Sequence, residues 1–232
     1  IRTNIEGTYN VLEAARHLEL SQVLLTSTSE TYGTAQYTPI DEHHPCVAQS
    51  PYAATKISAD QLAISYHRSF GLPVKIVRPF NTYGPRQSAR AIIPTIIGQL
   101  LDGKNTISLG NTSPTRDLTY VDDTCNAFLE VYKSNLFLGE VINVGTNSEI
   151  SIADLAYLIA DLLNEQLTIE ISEERERATS SEVQRLVCDN SKLLSHSSWK
   201  PTHSLKQGLS TVIEWMSDPN NAAYYKSDRY NV

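Results

Sequence analysis

A short apolar run that ends in hydroxyls and a carboxylate, followed by a capped helix, constrains the fold of this chain more than any other feature. Val23-Leu24-Leu25 leads into Thr26-Ser27-Thr28-Ser29-Glu30-Thr31-Tyr32-Gly33, and this reads as a buried strand with polar groups at its C-terminal end. In open α/β sheets, ligands gather at such strand ends. Further on, Ser50-Pro51-Tyr52-Ala53-Ala54-Thr55-Lys56 supplies an N-cap serine and a proline suited to the first helical position, with Tyr52 and Lys56 on one helix face. An ammonium near a phenol favours the phenolate and draws a group of ordinary pKa about 10 toward neutrality. Tyr52 can then exchange a proton with a substrate hydroxyl that Thr28 holds.

Val74-Lys75-Ile76-Val77-Arg78 and Val141-Ile142-Asn143-Val144-Gly145 are also apolar and rich in β-branched residues, and read as strands. Between the first two strands the Tyr52 helix runs to about Phe70 and ends at Gly71-Leu72-Pro73. Ala53, Ile57 and Ile64 line one of its faces, and Ala59, Leu62 and Tyr66 another. Such a helix is buried on two sides, either in the core or at a subunit contact. Residues 1–16, with Ile5, Tyr9 and Leu12 at helical spacing, form another helix. So do residues 91–101, 122–134 and 204–216, and also 151–164, with Ser151 as cap and Asp154 at the capping-box position. The fold class is α/β. The charged stretch 170–182 is expected to be a loop over the substrate or a solvated helix.

The chain has 232 residues, enough for one large domain or a domain with a small appendage. Its net charge of −7 with no basic run excludes nucleic-acid binding through a charged face, so a bound diphosphate has to be met by a few arginines. No apolar stretch approaches the roughly 18 residues of a membrane span, and no secretory signal is read. Cys46, Cys125 and Cys188 are isolated and odd in number, which suits a reduced, cytoplasmic protein. His43 and His44 are expected to be exposed loop residues, and no metal site is expected.

With these residues the chain resembles the extended short-chain dehydrogenase/reductase family, in its NAD-dependent epimerase/dehydratase branch acting on nucleotide sugars. The family pattern is Ser/Thr and Tyr-x-x-x-Lys on a Rossmann domain with bound NAD, and Thr28, Tyr52 and Lys56 fall on those positions. Arg78-Pro79-Phe80-Asn81-Thr82-Tyr83-Gly84-Pro85 resembles Arg-Pro-x-Asn-x-Tyr-Gly-Pro, and Arg116-Asp117-Leu118-Thr119-Tyr120-Val121-Asp122-Asp123 resembles Arg-Asp-x-x-x-Val-x-Asp. The resemblance implies a Rossmann-type parallel sheet within residues 1–85 and a mainly substrate-binding region over 86–232, with 141–145 returning to the sheet. It implies NAD contacts for Ser27, Tyr52, Lys56 and Pro79, and substrate contacts for Asn81, Arg86, Arg90, Arg116 and Arg177. Arg116 suits a diphosphate or ribose because its planar fork bonds phosphate bidentately, the other reading being an ion pair with Asp117 or Asp122. Ala178 stands where the family often has proline after the arginine at 177. Asp189-Asn190-Ser191-Lys192 and Trp199-Lys200-Pro201 are similar to fold-supporting family segments. A homodimer through the Tyr52 helix is implied, with a plain core helix as the alternative.

These residues contain no Gly-x-x-Gly-x-x-Gly after a strand and no acid placed to grip the adenosine ribose. The family carries that motif roughly 80 to 100 residues earlier, in the first half of the sheet. The expectation is therefore a sheet without its N-terminal strands, with the edge of the Thr28 strand open to another chain, or a fragment of a longer protein. In another class, the chain would be a truncated, inactive module that binds nucleotide sugars or oligomerises.

Glu30 separates the reactions. A 4-epimerase needs only the hydroxyl, tyrosine and lysine, whereas a 4,6-dehydratase needs a base for the C5 proton once C4 is a ketone. Thr28-Ser29-Glu30 resembles the dehydratase branch with serine in the middle, in which the glutamate serves as base. An added role as acid toward O6 requires a closed, partly desolvated site. A uronate decarboxylase also carries Thr-Ser-Glu, and Arg86 or Arg90 could hold its carboxylate. The resemblance favours dehydration of a UDP- or GDP-linked N-acetylglucosamine or related hexose.

Overall fold

The computed structural model describes residues 1–172, 183–222 and 224–225. A wide turn (Arg2–Glu6) leads into α1 (Gly7–His17), β1 (Val23–Thr26), a 3₁₀ turn (Ser29–Tyr32), α2 (Pro51–Phe70), β2 (Val74–Pro79) and β3 (Asn81–Tyr83). There follow α3 (Ile92–Leu101), β4 (Thr106–Leu109), β5 (Thr115–Arg116), β6 (Leu118–Tyr120), α4 (Val121–Lys133) and β7 (Val141–Val144). The chain continues through β8 (Ile150–Ser151), α5 (Ile152–Leu163), β9 (Thr168–Ile171), β10 (Arg185–Leu186), α6 (Ser191–His196), α7 (Leu205–Ser217) and α8 (Pro219–Ala222).

The central sheet is parallel, in the order β1-β2-β7, with Leu25 opposite Ile76 and Val77 opposite Ile142. β2 is buried from Val74 to Arg78 because both of its faces are covered. Val74 and Ile76 pack with Leu12, Ala15, Ala63 and Tyr66 of α1 and α2. Val77, on the other face, packs with Ala127 and Val131 of α4 and with Leu193 and Trp199. A separate core of Ile93, Ile96, Leu155, Ile159, Leu209 and Val212 joins α3, α5 and α7. Strand β3 pairs with β6, β4 with β9, and β5 with β8 and β10, all of them too short to show a period in the sequence.

Side chains close the outer edge of β7. Lys192 Nζ donates to Val141 O at 2.7 Å, Asn143 N donates to Glu42 Oε1 at 2.8 Å, and Asn190 Nδ2 donates to Gly145 O at 2.8 Å. Covering an edge in this way removes the free donors and acceptors on which another strand could pair. Lys75, buried in β2, caps α4 by donating to Val131 O at 2.8 Å and to Ser134 O. The last carbonyls of a helix lack partners within it, so a buried ammonium is well spent there. Trp199 Nε1 donates to Asp123 O at 2.8 Å, consistent with a fold-supporting role for that segment.

Several expectations change. Glu170 and Ile171 end β9, paired with Ser108 and Leu109, so the charged stretch does not begin as a loop, while residues 173–182, with Arg177, lie outside the described residues. His44 is buried, not exposed: its Nε2 accepts from Gln36 N at 2.9 Å and its ring stacks edge-on to Tyr32. Ser151 caps α5, but Asp154 accepts from the Ser151 hydroxyl and does not reach back to the cap backbone. A carboxylate one methylene shorter than glutamate stays at the hydroxyl. No helix among the described residues is long and apolar enough to cross a membrane.

Close packing at Gly208 gives a direct test of the α7 interface. A Cβ there would lie 2.1 Å from Tyr83 Oη and 2.8 Å from Tyr120 Cδ2. Alanine favours helices over glycine by about 1 kcal/mol, but the two rings are buried and Tyr83 is tied to Leu205 O. Gly208→Ala is therefore expected to lower unfolding free energy by about 1–3 kcal/mol in urea titration, and a stabilised variant would contradict this packing.

Candidate active site

The C-terminal ends of β1 and β2 and the first turns of α2 form one side of the site. Thr28 is the N-cap of the 3₁₀ turn, its Oγ1 accepting from Glu30 N at 3.3 Å. Ser50 caps α2 by accepting from Ala53 N at 3.1 Å, and Pro51 occupies the first turn. Tyr52 therefore stands in the first turn, 46% exposed, with its hydroxyl in hydrogen-bond contact with Thr28. Lys56, half-buried one turn later, donates its Nζ to Thr26 O. Glu30 is exposed, and its charge reaches the Tyr52 phenol.

The electrostatics differ from the sequence expectation. Burial and the Glu30 charge push the Tyr52 phenol up, against the pull of the Thr28 hydroxyl. Burial draws Lys56 down, against Asp60. The ammonium is spent on a β1 carbonyl, and a carboxylate stands near the phenol, so the described residues do not bring Tyr52 toward neutrality.

A cleft of about 490 Å³ opens next to this corner, lined by Glu30, Gln49, Asn81, Gln87, Arg90 and Arg116 among others. Four residues expected from the sequence to act on one ligand thus share a wall. Arg116 sits on β5, its Nη1 donating to Thr115 O at 2.8 Å. Arg90 lies in the turn before α3 and is exposed. Arg86 does not line this cleft; it is exposed, with φ +66°. Pro79, half-buried, ends β2 opposite Val144. Ser27 is buried and its hydroxyl donates to Asp60 at 2.7 Å. Ser29 is buried in the 3₁₀ turn and does not line the cleft.

Sequence reasoning passed over Gln49, Gln87 and Asp60. Gln87 Nε2 donates to Thr82 O at 3.1 Å, leaving its Oε1 buried without a partner among the described residues. Asp60 had a readable signal, since it follows Lys56 by one helical turn on the same face. Among the described residues, no group of three or more His, Cys, Asp or Glu could hold a metal ion.

A parallel α/β sheet with a Ser/Thr, Tyr-x-x-x-Lys corner at its strand ends defines a Rossmann-like short-chain dehydrogenase/reductase fold. The chain belongs to the GDP-mannose 4,6 dehydratase family, matching it over residues 1–212. It is 31% identical over 226 residues to a dTDP-glucose 4,6-dehydratase of Streptomyces antibioticus, covering 97% of this chain and 66% of that protein. The solved dTDP-glucose 4,6-dehydratase of Bacillus anthracis, in complex with NAD, superposes with a TM-score of 0.87 at 29% identity, over 96% of this chain and 70% of that one. The UDP-glucuronic acid 4-epimerase of Bacillus cereus, in complex with UDP-glucuronic acid and NAD, gives 0.85 at 30% identity, over 93% and 68%. The chain spans about two thirds of the length of these relatives. These relatives are two dTDP-glucose 4,6-dehydratases and one UDP-glucuronic acid 4-epimerase.

Proposed function

We propose that this chain carries the acid/base corner and sugar-nucleotide cleft of a 4,6-dehydratase acting on a UDP- or GDP-linked N-acetylglucosamine or related hexose. One observation supports it most: the Glu30 charge acts on the Tyr52 phenol, and Glu30 also lines the cleft that holds Asn81, Arg90 and Arg116. A carboxylate shared by both is what elimination after oxidation requires.

The exposed phenol and half-buried ammonium at the start of α2 and the half-buried Pro79 at the end of β2 fit the nicotinamide end of NAD. When bound there, NAD supplies an acceptor for the C4 hydride and a donor that returns it at C6. Tyr52 and Lys56 would hold it, with Pro79 beside it. Thr28 orients the C4 hydroxyl, and Tyr52 takes its proton as the alcohol becomes a ketone. The ketone acidifies C5, and Glu30 removes that proton while the C6 hydroxyl takes a proton from solvent and leaves as water. Glu30 is exposed, so the described residues do not supply the desolvation that a second role as acid toward O6 needs. Arg90, Arg116 and Asn81 meet the phosphates, where a bidentate fork holds the ligand in register.

A homodimer through the Tyr52 helix, α2, belongs to this reading and is supported by the outward Phe70 at its end. Mass spectrometry of nucleotide sugars incubated with the chain and NAD tests the reaction. Loss of water is expected; loss of carbon dioxide from UDP-glucuronate, or altered stereochemistry at constant mass, would replace dehydration by decarboxylation or epimerisation.

A further inference from the structure

Beneath the Tyr52–Lys56 pair lies a buried charge that the reaction as written does not use. Asp60 of α2 is 2% exposed and follows Lys56 by one helical turn. Its Oδ2 accepts from Ser27 Oγ at 2.7 Å and from Arg78 Nε and Nη2 at 3.1 and 2.8 Å. Three donors therefore converge on one oxygen. The Arg78 guanidinium also lies 4.8 Å from the centre of the Tyr32 ring, whose hydroxyl donates to Asn143 Oδ1 at 2.8 Å.

Each member of this cluster adjoins a residue assigned to the reaction. Ser27 immediately precedes Thr28, Arg78 immediately precedes Pro79, and Asp60 lies one turn from Lys56 and two from Tyr52. A buried ion pair adds little net stability, because desolvation offsets its attraction. It does fix geometry, since a planar guanidinium bonded through two nitrogens tolerates little displacement.

We propose that Asp60 is a positioning residue: anchored by Arg78 and Ser27, it locks α2 against the ends of β1 and β2, keeping Lys56 Nζ on Thr26 O and the Tyr52 hydroxyl on Thr28. This rests on the reading of Thr28, Tyr52 and Lys56 as the reacting set. The same carboxylate acts on both partners, raising the Tyr52 phenol after burial and Glu30, and opposing the effect of burial on Lys56. A displacement of about 1 Å at a reacting group costs on the order of 10²-fold in rate.

Asp60→Asn in the full chain is the test. The expected result is a fall in kcat for C4 oxidation of about 10²-fold with KM little changed, as when an interaction realised at the transition state is lost. The Tyr52 and Lys56 titrations, followed by NMR with labelled tyrosine and lysine and assigned through Tyr52→Phe and Lys56→Arg, are expected to move down together. Should the lone Arg78 charge prevent folding, Asp60→Asn combined with Arg78→Gln restores a neutral hydrogen-bonded pair, and the same readouts apply. A folded variant with kcat within about twofold of the parent overturns the proposal. If the parent chain turns over no nucleotide sugar, the functional reading fails separately, and a crystal structure of Asp60→Asn decides: Lys56 Nζ displaced from Thr26 O supports positioning by Asp60, and an unmoved contact overturns it.

Discussion

Glu30→Gln is expected to abolish water loss while leaving C4 oxidation in place. The substitution keeps the size and hydrogen-bonding shape of the side chain but removes its basicity, and the exposed position of residue 30 gives the amide no packing to disturb. The Thr28 cap also survives, because its Oγ1 accepts from the backbone nitrogen of residue 30 and not from the side chain. General base catalysis contributes on the order of 10²–10⁴-fold, enough for its loss to take the dehydrated product below detection. Reduced-nicotinamide absorbance should still rise on mixing with substrate and then persist, because the 4-ketone has no route to elimination. Removing the Glu30 charge also relieves one of the causes that push Tyr52 up, so oxidation by the variant should reach its maximum at lower pH. Dehydration at the parent rate would remove Glu30 from the mechanism.

The largest loss of stability is expected at Asp117, which is fully buried and holds three segments together. Its carboxylate accepts from Thr146 N and Oγ1 at 2.8 and 2.7 Å, from Asn147 N at 3.0 Å and from Cys188 N at 3.1 Å. The segments meet so closely that a Cβ on Gly145 would lie 2.3 Å from Cys188 Cβ. Asp117→Ala strands these donors in a site with little room to collapse, and each unpaired buried donor costs about 1–3 kcal/mol. A total of about 3–5 kcal/mol is expected in urea titration, with Asp117→Asn, which keeps one acceptor oxygen, losing about half of that. Burial outweighs the donors and holds the carboxyl above its ordinary range. Stability linked to its titration is therefore full below the unfolded value of about 3.9 and declines as pH rises through the raised folded value. Asp117→Asn should lack that component, and an unchanged pH profile would show that the linkage lies elsewhere.

What could be read from the sequence follows from how local each signal is. The Tyr52 helix announced both ends: Ser50 and Pro51 open it, and Gly71, in the left-handed conformation at φ +68°, closes it. The three strands of the central sheet were equally visible, because burial on both faces demands continuous apolar runs. The paired strands of two or three residues were not, since Arg116 opposite Ile150 and Leu186 opposite Arg116 are meetings of distant segments. Motif spacing brought Glu30, Asn81, Arg90 and Arg116 to one cleft. It did not foresee the burial of Ser29 or the absence of Arg86 from that wall, because a turn sets side-chain direction residue by residue. His44 and Asp60 escaped for a related reason: a polar residue reads as exposed until the tertiary fold delivers Gln36 N, Ser27 and Arg78 to it.

The side chains along β7 give the central sheet a selvedge. Glu42, Asn190 and Lys192 bind off that rim from two separate segments of the chain, whereas β1 at the opposite rim pairs with β2 alone among the described residues. The weave is therefore directional. Lateral growth of the sheet is left, among the described residues, to β1, the strand whose end leads into Thr28, so growth and the chemistry share one border.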